Sequence, residues 1–377
     1  MMILKTIGVN KMEVKANSLK ASFELHKQEF IEAATQVLES GWYVLGPKVK
    51  EFEVQFAQYT NANYCVGVAS GLDALILAFD ALNLLKGSEV IAPANTYIAS
   101  IMGFTKVGLV PRFVEPDCYY NLDATKIEAA INEKTKAICV VHLYGQIANM
   151  DKIMEIANKY NLKVVEDCAQ AHGAKLNGKQ VGTFGDIGCF SFYPTKNVGA
   201  FGDAGCVITN NEAYANQISC LRNYGSSKHY YFDTVGYNSR LDELQASLLS
   251  VRLKYIDETI ANRHHIAELY NQGITNECIV KPESWCGKEG HVYHQYVVRV
   301  KNRNHFMNYL KEHGIGSQIH YPQPPHLSDA YRYLGYKVGD FPITEMFANQ
   351  VVSLPIYEGL DDDSINFVIN VINAYKN

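Results

Sequence analysis

Between residues 63 and 209 short apolar runs alternate with helix-length stretches, and this pattern restricts the fold more than any other feature. The runs at 65–68, 90–92, 109–114, 137–143, 163–166, 189–193 and 206–209 read as strands. Their near-continuous apolar character is that of strands covered on both faces. Segments 72–81, 123–132 and 150–160 lie between them with helical spacing. The architecture predicted is α/β, a large mostly parallel sheet sandwiched by helices.

Upstream, 24–39 carries Phe30, Ala33, Ala34, Val37 and Leu38 at helical spacing and stops at Ser40-Gly41. Pro47 opens a second helix with Phe52 and Phe56 on one face. Downstream, 239–273 reads as one long helix with an apolar stripe of Leu241, Leu244, Leu248, Val251 and Tyr255. We therefore expect a large domain over 1–255, including the N-terminal segment, and a smaller α+β domain over 256–377. The latter mixes a strand at 292–300, a helix at 304–313 and a closing helix at 362–375.

Two domains suit 377 residues. With 34 Lys+Arg against 39 Asp+Glu, the net charge of -5 argues against nucleic acid, which needs clustered cations. No apolar run approaches the roughly 20 residues that span a bilayer. Residues 1–10 hold one lysine and no apolar stretch of signal-peptide length. Nine cysteines without a CxxC pair fit free thiols in a reducing compartment better than disulfides or zinc. The expectation is a soluble cytoplasmic protein with no metal, no membrane contact and no nucleic-acid partner.

Several motifs mislead. Residues 173–180 resemble a phosphate loop, but Gln180 stands where Ser or Thr must meet magnesium, and Asn177-Gly178 is a hairpin turn. Gly182, Gly185 and Gly188, like Gly199, Gly202 and Gly205, are not spaced as a dinucleotide loop. His291 and His294 read as strand residues, one per face, and His264-His265 as a partly exposed helical pair. There is no Gly-x-Ser-x-Gly elbow.

Three segments carry chemistry. Lys163-Val-Val-Glu166-Asp167 sets a carboxylate at a strand end, where α/β sheets gather ligands. Cys189-Phe-Ser191-Phe-Tyr193-Pro194-Thr195-Lys196 is a strand stopped by proline and followed by a lysine on a crowded turn. Such a lysine can be desolvated, which lowers its pKa toward Schiff-base chemistry. Val66-Gly-Val-Ala-Ser70-Gly71-Leu72 leads from strand into helix, whose N-terminal amides suit a phosphate. Singly, these are a turn cap, a loop lysine and a helix start. Together they point to pyridoxal 5′-phosphate (PLP), which needs a lysine to hold it and an acid beside its pyridine nitrogen.

Over residues 22–375 the chain resembles the fold-type-I, DegT-like sugar aminotransferases. The markers are Ser40-Gly-Trp-Tyr-Val-Leu-Gly46, Ser70-Gly71, Val165-Glu-Asp-Cys-Ala-Gln-Ala171, Phe190-Ser-Phe-Tyr-Pro-Thr-Lys196, Gly236-Tyr-Asn-Ser-Arg-Leu-Asp-Glu-Leu-Gln245 and His320-Tyr-Pro322. The resemblance implies that Lys196 holds PLP as a Schiff base and Asp167 pairs with the pyridine nitrogen. Gln170 would sit near the ring hydroxyl and Tyr97 would stack on the ring. Ser70, Gly71, Leu72 and Ser191 would hold the phosphate, with Asn238 reaching it from a second subunit. It further implies a homodimer with shared sites, whose interface would cover the stripe at 241–255, and glutamate as amino donor.

Most of that family has Ser-Gly-Thr at the phosphate turn, whereas this chain has Ser70-Gly-Leu72-Asp73. The variant looks like the subgroup that aminates carbon 3 of dTDP-linked 3-keto-6-deoxyhexoses to 3-amino-3,6-dideoxy sugars. Tyr224, Lys228, His320 and Tyr321 are candidate sugar-nucleotide contacts, although the run 228–231 departs from the family's commoner Lys-Tyr order. The alternatives are amination at carbon 4, a deoxysugar dehydratase, a non-catalytic PLP-binding regulator and a nicotinamide-dependent oxidoreductase. Lys196 counts against the dehydratase, and the missing dinucleotide loop against the oxidoreductase.

Overall fold

The computed structural model describes residues 12–228 and 230–376. Residues 1–11 (with the segment read for a signal peptide), His229 and Asn377 lie outside the described residues.

Helices α1 (Leu19–Leu25), α2 (Lys27–Ser40) and α3 (Pro47–Thr60) come first. Pro47 suits a first helical turn, where its missing N–H is not needed, and Phe52 and Phe56 on α3 are fully buried. The sheet region follows as β1 (Tyr64–Val68), α4 (Gly71–Ala81), β2 (Glu89–Pro93), α5 (Ile98–Thr105), β3 (Val110–Val114), α6 (Ala124–Ala130), β4 (Thr135–Val141), α7 (Met150–Lys159) and β5 (Lys163–Asp167). The hairpin β6 (Lys175–Leu176) and β7 (Lys179–Gln180) precedes β8 (Ile187–Ser191), β9 (Gly205–Thr209) and α8 (Glu212–Leu221). That hairpin turns on Asn177 and Gly178, both at positive φ, so the apparent phosphate loop is the turn its chemistry indicated.

Seven strands form one sheet in the order β1-β9-β8-β5-β4-β2-β3. β9 alone runs against its neighbours, pairing antiparallel with both β1 and β8, while β8, β5, β4, β2 and β3 pair in parallel. Both faces are buried, as the apolar runs require. In β4, Ile138 and Val140 pack with Phe52 and Phe56, whereas Ala137 and Cys139 pack with Leu75, Phe79 and Phe104. The expected mixed, mostly parallel sheet between helices is present.

Beyond it lie the short hairpin β10 (Ser226–Lys228) and β11 (Tyr231–Phe232), then α9 (Glu243–Lys254) and α10 (Ile256–Gly273). β12 (Ile279–Val280), β13 (Tyr296–Val300), α11 (Arg303–Glu312), α12 (Pro342–Gln350), β14 (Val351–Leu354) and α13 (Asp362–Ala374) complete the chain. β12, β13 and β14 make an antiparallel sheet with its own core, including Tyr270, Tyr296, Phe306 and Ile372. Val14, from ahead of α1, is buried in that same core and pairs with Ile315.

The structure departs from the sequence reading in four places. The segment at 24–39 is two helices broken at His26, and the long helix at 239–273 is two broken at Tyr255. Neither break has Gly or Pro; instead the two rings stack on each other, 3.6 Å between centroids. Tertiary packing has overridden helix propensity. The apolar stripe needs no second subunit: Leu248 and Val251 pack on Phe30 of α2. The strand placed at 292–300 begins only at Tyr296, and His291 and His294 are both buried ahead of it. Arg263 donates there to the carbonyls of Tyr293 and His294, which diverts them from a ladder. On α10, His264 is buried and bonds the carbonyl of His291, while His265 is exposed beside Asp362.

One buried carboxylate fixes the loop between β7 and β8. Glu166 of β5 is fully buried and accepts from the amides of Gly182 (2.8 Å), Phe184 (2.8 Å) and Gly185 (2.7 Å). His142 completes the set: its Nδ1 accepts from the Ala148 amide, so Nε2 carries the proton and donates to Glu166 at 3.0 Å. The first glycine series is thus an anion seat for the chain's own side chain. Glu166→Ala would strand these four donors and is expected to cost about 3–5 kcal/mol of stability. A denaturant midpoint equal to that of the parent protein would contradict this anchoring.

Candidate active site

The reversal of β9 sets the site. Because β9 runs backwards, its first residue lies beside the last residues of β1 and β8: Gly205 pairs with both Val68 and Ser191. One rung over, Asp167 ends β5 between Val141 of β4 and Cys189 of β8. The turns after β1, β2, β4, β5 and β8 therefore open on one edge of the sheet, and a cavity of ≈ 480 Å³ lies there.

Ser70 caps α4: its Oγ accepts from Asp73 N (3.1 Å) and its carbonyl from Ala74 N (3.0 Å). The amides of Gly71 and Leu72, in the cavity wall, have no partner among the described residues. The first turn of a helix leaves such donors for an anion. Glycine is required at 71 because a Cβ would lie 2.4 Å from Cβ of Ser191, and at 205 because one would lie 2.5 Å from the carbonyl of Ser70. These contacts close the turn against the Ser191 hydroxyl.

Asp167 is nearly buried, and each oxygen is held: Oδ2 accepts from Ser100 Oγ (2.7 Å), and Oδ1 from Ala169 N (3.1 Å). A carboxylate has about four acceptor sites, so two remain. Lys196 reaches the cavity yet is surrounded by protein. Desolvation pulls its amine down to about 8, with the Asp167 carboxylate opposing the shift. The neighbouring histidines stay neutral. Desolvation, reinforced by the lysine's charge, pulls His172 to about 3, His320 to about 4 and His294 well below its ordinary value.

Gln170 is held at both ends, Oε1 accepting from Tyr144 N (2.6 Å) and Nε2 donating to Tyr321 Oη (3.0 Å). Tyr97 leans on Tyr321, 4.8 Å between centroids. That separation is already a direct ring contact and admits no third ring between them. A ring stacked on Tyr97 must take its other face.

The fold thus gathers Ser70, Gly71, Leu72, Tyr97, Asp167, Gln170, Ser191, Lys196, His320 and Tyr321 around one cavity. Asn238, Tyr224 and Lys228 are not among the residues lining it; all three are exposed. Sequence reasoning missed Ser100, whose position three residues after Tyr97 on α5 was a usable signal once Tyr97 was chosen. It also missed Thr96, Asp203, Gln295 and His294, which line the wall. His142, Glu166 and Cys168 stand close enough to hold a metal ion, but both His142 ring nitrogens are already engaged.

These residues fit a phosphorylated pyridine aldehyde. Two unpaired amides and Ser191 suit its phosphate, Asp167 has acceptor capacity left for a protonated ring nitrogen, and the Lys196 amine is readily neutral. Apart from Lys196, no lysine or arginine lines the cavity among the described residues.

Comparison with known proteins agrees with this geometry. The sequence profile of the DegT/DnrJ/EryC1/StrS aminotransferase family matches residues 24–373. The chain is 50% identical over 351 residues to dTDP-3-amino-3,6-dideoxy-alpha-D-galactopyranose transaminase from Aneurinibacillus thermoaerophilus, covering 93% of this chain and 96% of that one. The crystal structure of S. venezuelae DesV in complex with a ketimine intermediate superposes with a TM-score of 0.93 at 41% identity, over 96% of this chain and 98% of DesV. NtdA from Bacillus subtilis, with bound cofactor PMP, superposes at 0.88 with 30% identity, over 96% of this chain and 85% of that one. The chain belongs to the DegT/DnrJ/EryC1/StrS aminotransferase family.

Proposed function

We propose that this protein is a PLP-dependent aminotransferase that converts a dTDP-linked 3-keto-6-deoxyhexose to the 3-amino-3,6-dideoxy sugar, with glutamate as donor. One observation carries the reading: the Lys196 amine and Asp167 carboxylate share a cavity beneath a turn with unpaired amides. Carbon 3 and the thymidine nucleotide are supported by the half-identical Aneurinibacillus relative, which bears a dTDP-linked 3-amino-3,6-dideoxy sugar, the product class, in its name. We place the protein in the cytoplasm as a homodimer and divide each chain at Tyr255 into a large cofactor-binding unit and a small one.

When bound, PLP supplies a ring that takes up the electron pair left as a proton leaves the amine-bearing carbon. The chain does the rest. Amides of Gly71 and Leu72 with Ser191 Oγ hold the phosphate. Asp167, oriented by Ser100 and Ala169 N, would accept a hydrogen bond from the ring nitrogen and keep it protonated. Lys196 Nζ would hold the cofactor's aldehyde as a Schiff base, with loss of water, and as a free amine would take up and return a proton at the amine-bearing carbon. One amine serves both tasks because it is close to half neutral near its pKa of about 8. Gln170, fixed by Tyr144 N and Tyr321, can still donate to the ring hydroxyl. His320 and Tyr321 face the sugar from the same chain, while Asn238, Tyr224 and Lys228 serve the partner's site.

Lys196→Ala or Lys196→Arg should lose the near-visible absorbance of lysine-bound PLP and lower kcat by at least about 100-fold. Survival of that band in either variant refutes the assignment. Asp167→Ala should retain bound cofactor but lose at least about 100-fold in kcat. Loading with PLP should report the lysine directly. Lys196 is depressed from 10.5 to about 8, so its neutral fraction, and with it the loading rate, climbs through pH 7 and levels off above about pH 9. An unshifted lysine would still be climbing at pH 10. With His172 and His320 already neutral, no inflection near 6.5 should accompany it. A panel of 3-keto and 4-keto nucleotide sugars, read by NMR of the product, should yield amination at carbon 3; carbon 4 would favour the alternative.

A further inference from the structure

Asp73 lies in the first turn of α4, within the phosphate-seat helix, yet it is absent from the residues lining the cavity. Its charge has the wrong sign for a phosphate ligand: a carboxylate stabilises a helix start but repels an anion bound there. Its partner lies elsewhere. Asp73 Oδ2 accepts from Ser239 Oγ at 2.9 Å, and the same hydroxyl accepts from the Ala69 amide at 3.2 Å. Ser239 is 2% exposed.

Ser239 closes the root of a strap whose described legs cover 223–228 and 230–240. Tyr237 N donates to Leu221 O (2.7 Å), Ser239 N to Arg222 O (2.9 Å), and Tyr237 Oη to Asp80 of α4 (3.0 Å). The two legs cross so tightly that a Cβ on Gly236 would lie 2.1 Å from the Gly225 amide. Beyond this root the strap turns outward. Phe232 is 63% exposed and Val235 91%. Asn238, next to buried Ser239, faces away from its own chain's core.

We infer that Asp73 is a positioning residue for the neighbouring subunit's site: through Ser239 it fixes the strap whose Asn238 completes the partner's phosphate seat. This rests on the reading above that Asn238 serves the partner. Each α4 then seats its own phosphate at its backbone and steers the other copy's seat through its Asp73 side chain.

Hybrid dimers separate the two directions. One chain carries Lys196→Ala, so each hybrid has one site that can bind PLP covalently, and affinity is read from the near-visible band. With Asp73→Ala on the Lys196→Ala chain, the live site receives the altered strap, and its Kd for PLP should rise about tenfold. With Asp73→Ala on the chain that keeps Lys196, the live site receives an intact strap, and its Kd should be unchanged or lower. Ser239→Ala, which removes the same bond without changing charge, should repeat the pattern and guards against a misfolded Asp73 variant. Weakening only when Asp73→Ala sits on the live chain, or none in either arrangement, overturns the inference. Asn238→Ala in the first arrangement is the control. If it weakens binding and the Asp73 and Ser239 variants do not, this inference alone fails. If Asn238→Ala is also silent, the shared-site reading fails and takes the inference with it.

Discussion

The site depends on one crossing of backbones, where the start of α4 touches the end of β8 and the start of β9 touches Ser70. Glycines at 71 and 205 permit approaches at which any Cβ would sit about 2.5 Å from its neighbour. A mostly parallel sheet with one reversed strand creates this crossing, because only a reversed strand brings a beginning beside two ends. The candidate site then follows from neighbouring rungs: Ser191 ends β8, Asp167 ends β5, and Lys196 lies five residues past the end of β8. Larger residues at the crossing would separate the unpaired amides of Gly71 and Leu72 from Lys196.

Electrostatically the chain treats anions in two ways. Glu166 is satisfied completely, with three amides and a neutral histidine, and so serves as a structural anchor. Asp167, the next residue, faces the opposite side of the strand and is left under-satisfied, with two neutral donors and capacity to spare. Around Lys196 the protein places histidines that burial keeps neutral, so the cavity does not accumulate positive charge before its ligand arrives. An acidic protein thereby holds anions with amides and hydroxyls instead of a basic surface.

Much of this was legible in the sequence. The apolar runs located the seven strands to within a few residues, since burial on both faces leaves little choice of residue. Asp167, Lys196 and Ser70 were legible because strand-end chemistry is compressed into short segments. What escaped was set by contacts between distant residues. The helix breaks at His26 and Tyr255 carry no breaker residue and arise from one ring packing on the other. His294 looked like a strand residue because nothing local reveals that Arg263, on α10, claims the carbonyls beside it. Ser239 looked like a helix start until its hydroxyl was found on Asp73.

The His26–Tyr255 stack belongs to a longer lacing. Val14 lies in the C-terminal core, Ser22 bonds both Arg252 of α9 and Glu358 of the C-terminal unit, and Arg252 pairs with Glu358. The N-terminal segment is thus stitched across both units close to where α9 meets α10. Swinging the small unit away from the sheet would expose the largely buried pair of Arg252 and Glu358 and draw Val14 out of its core. The two cores are therefore coupled through this seam: melting either removes partners that keep the other's edge closed, so loosening of one weakens the other.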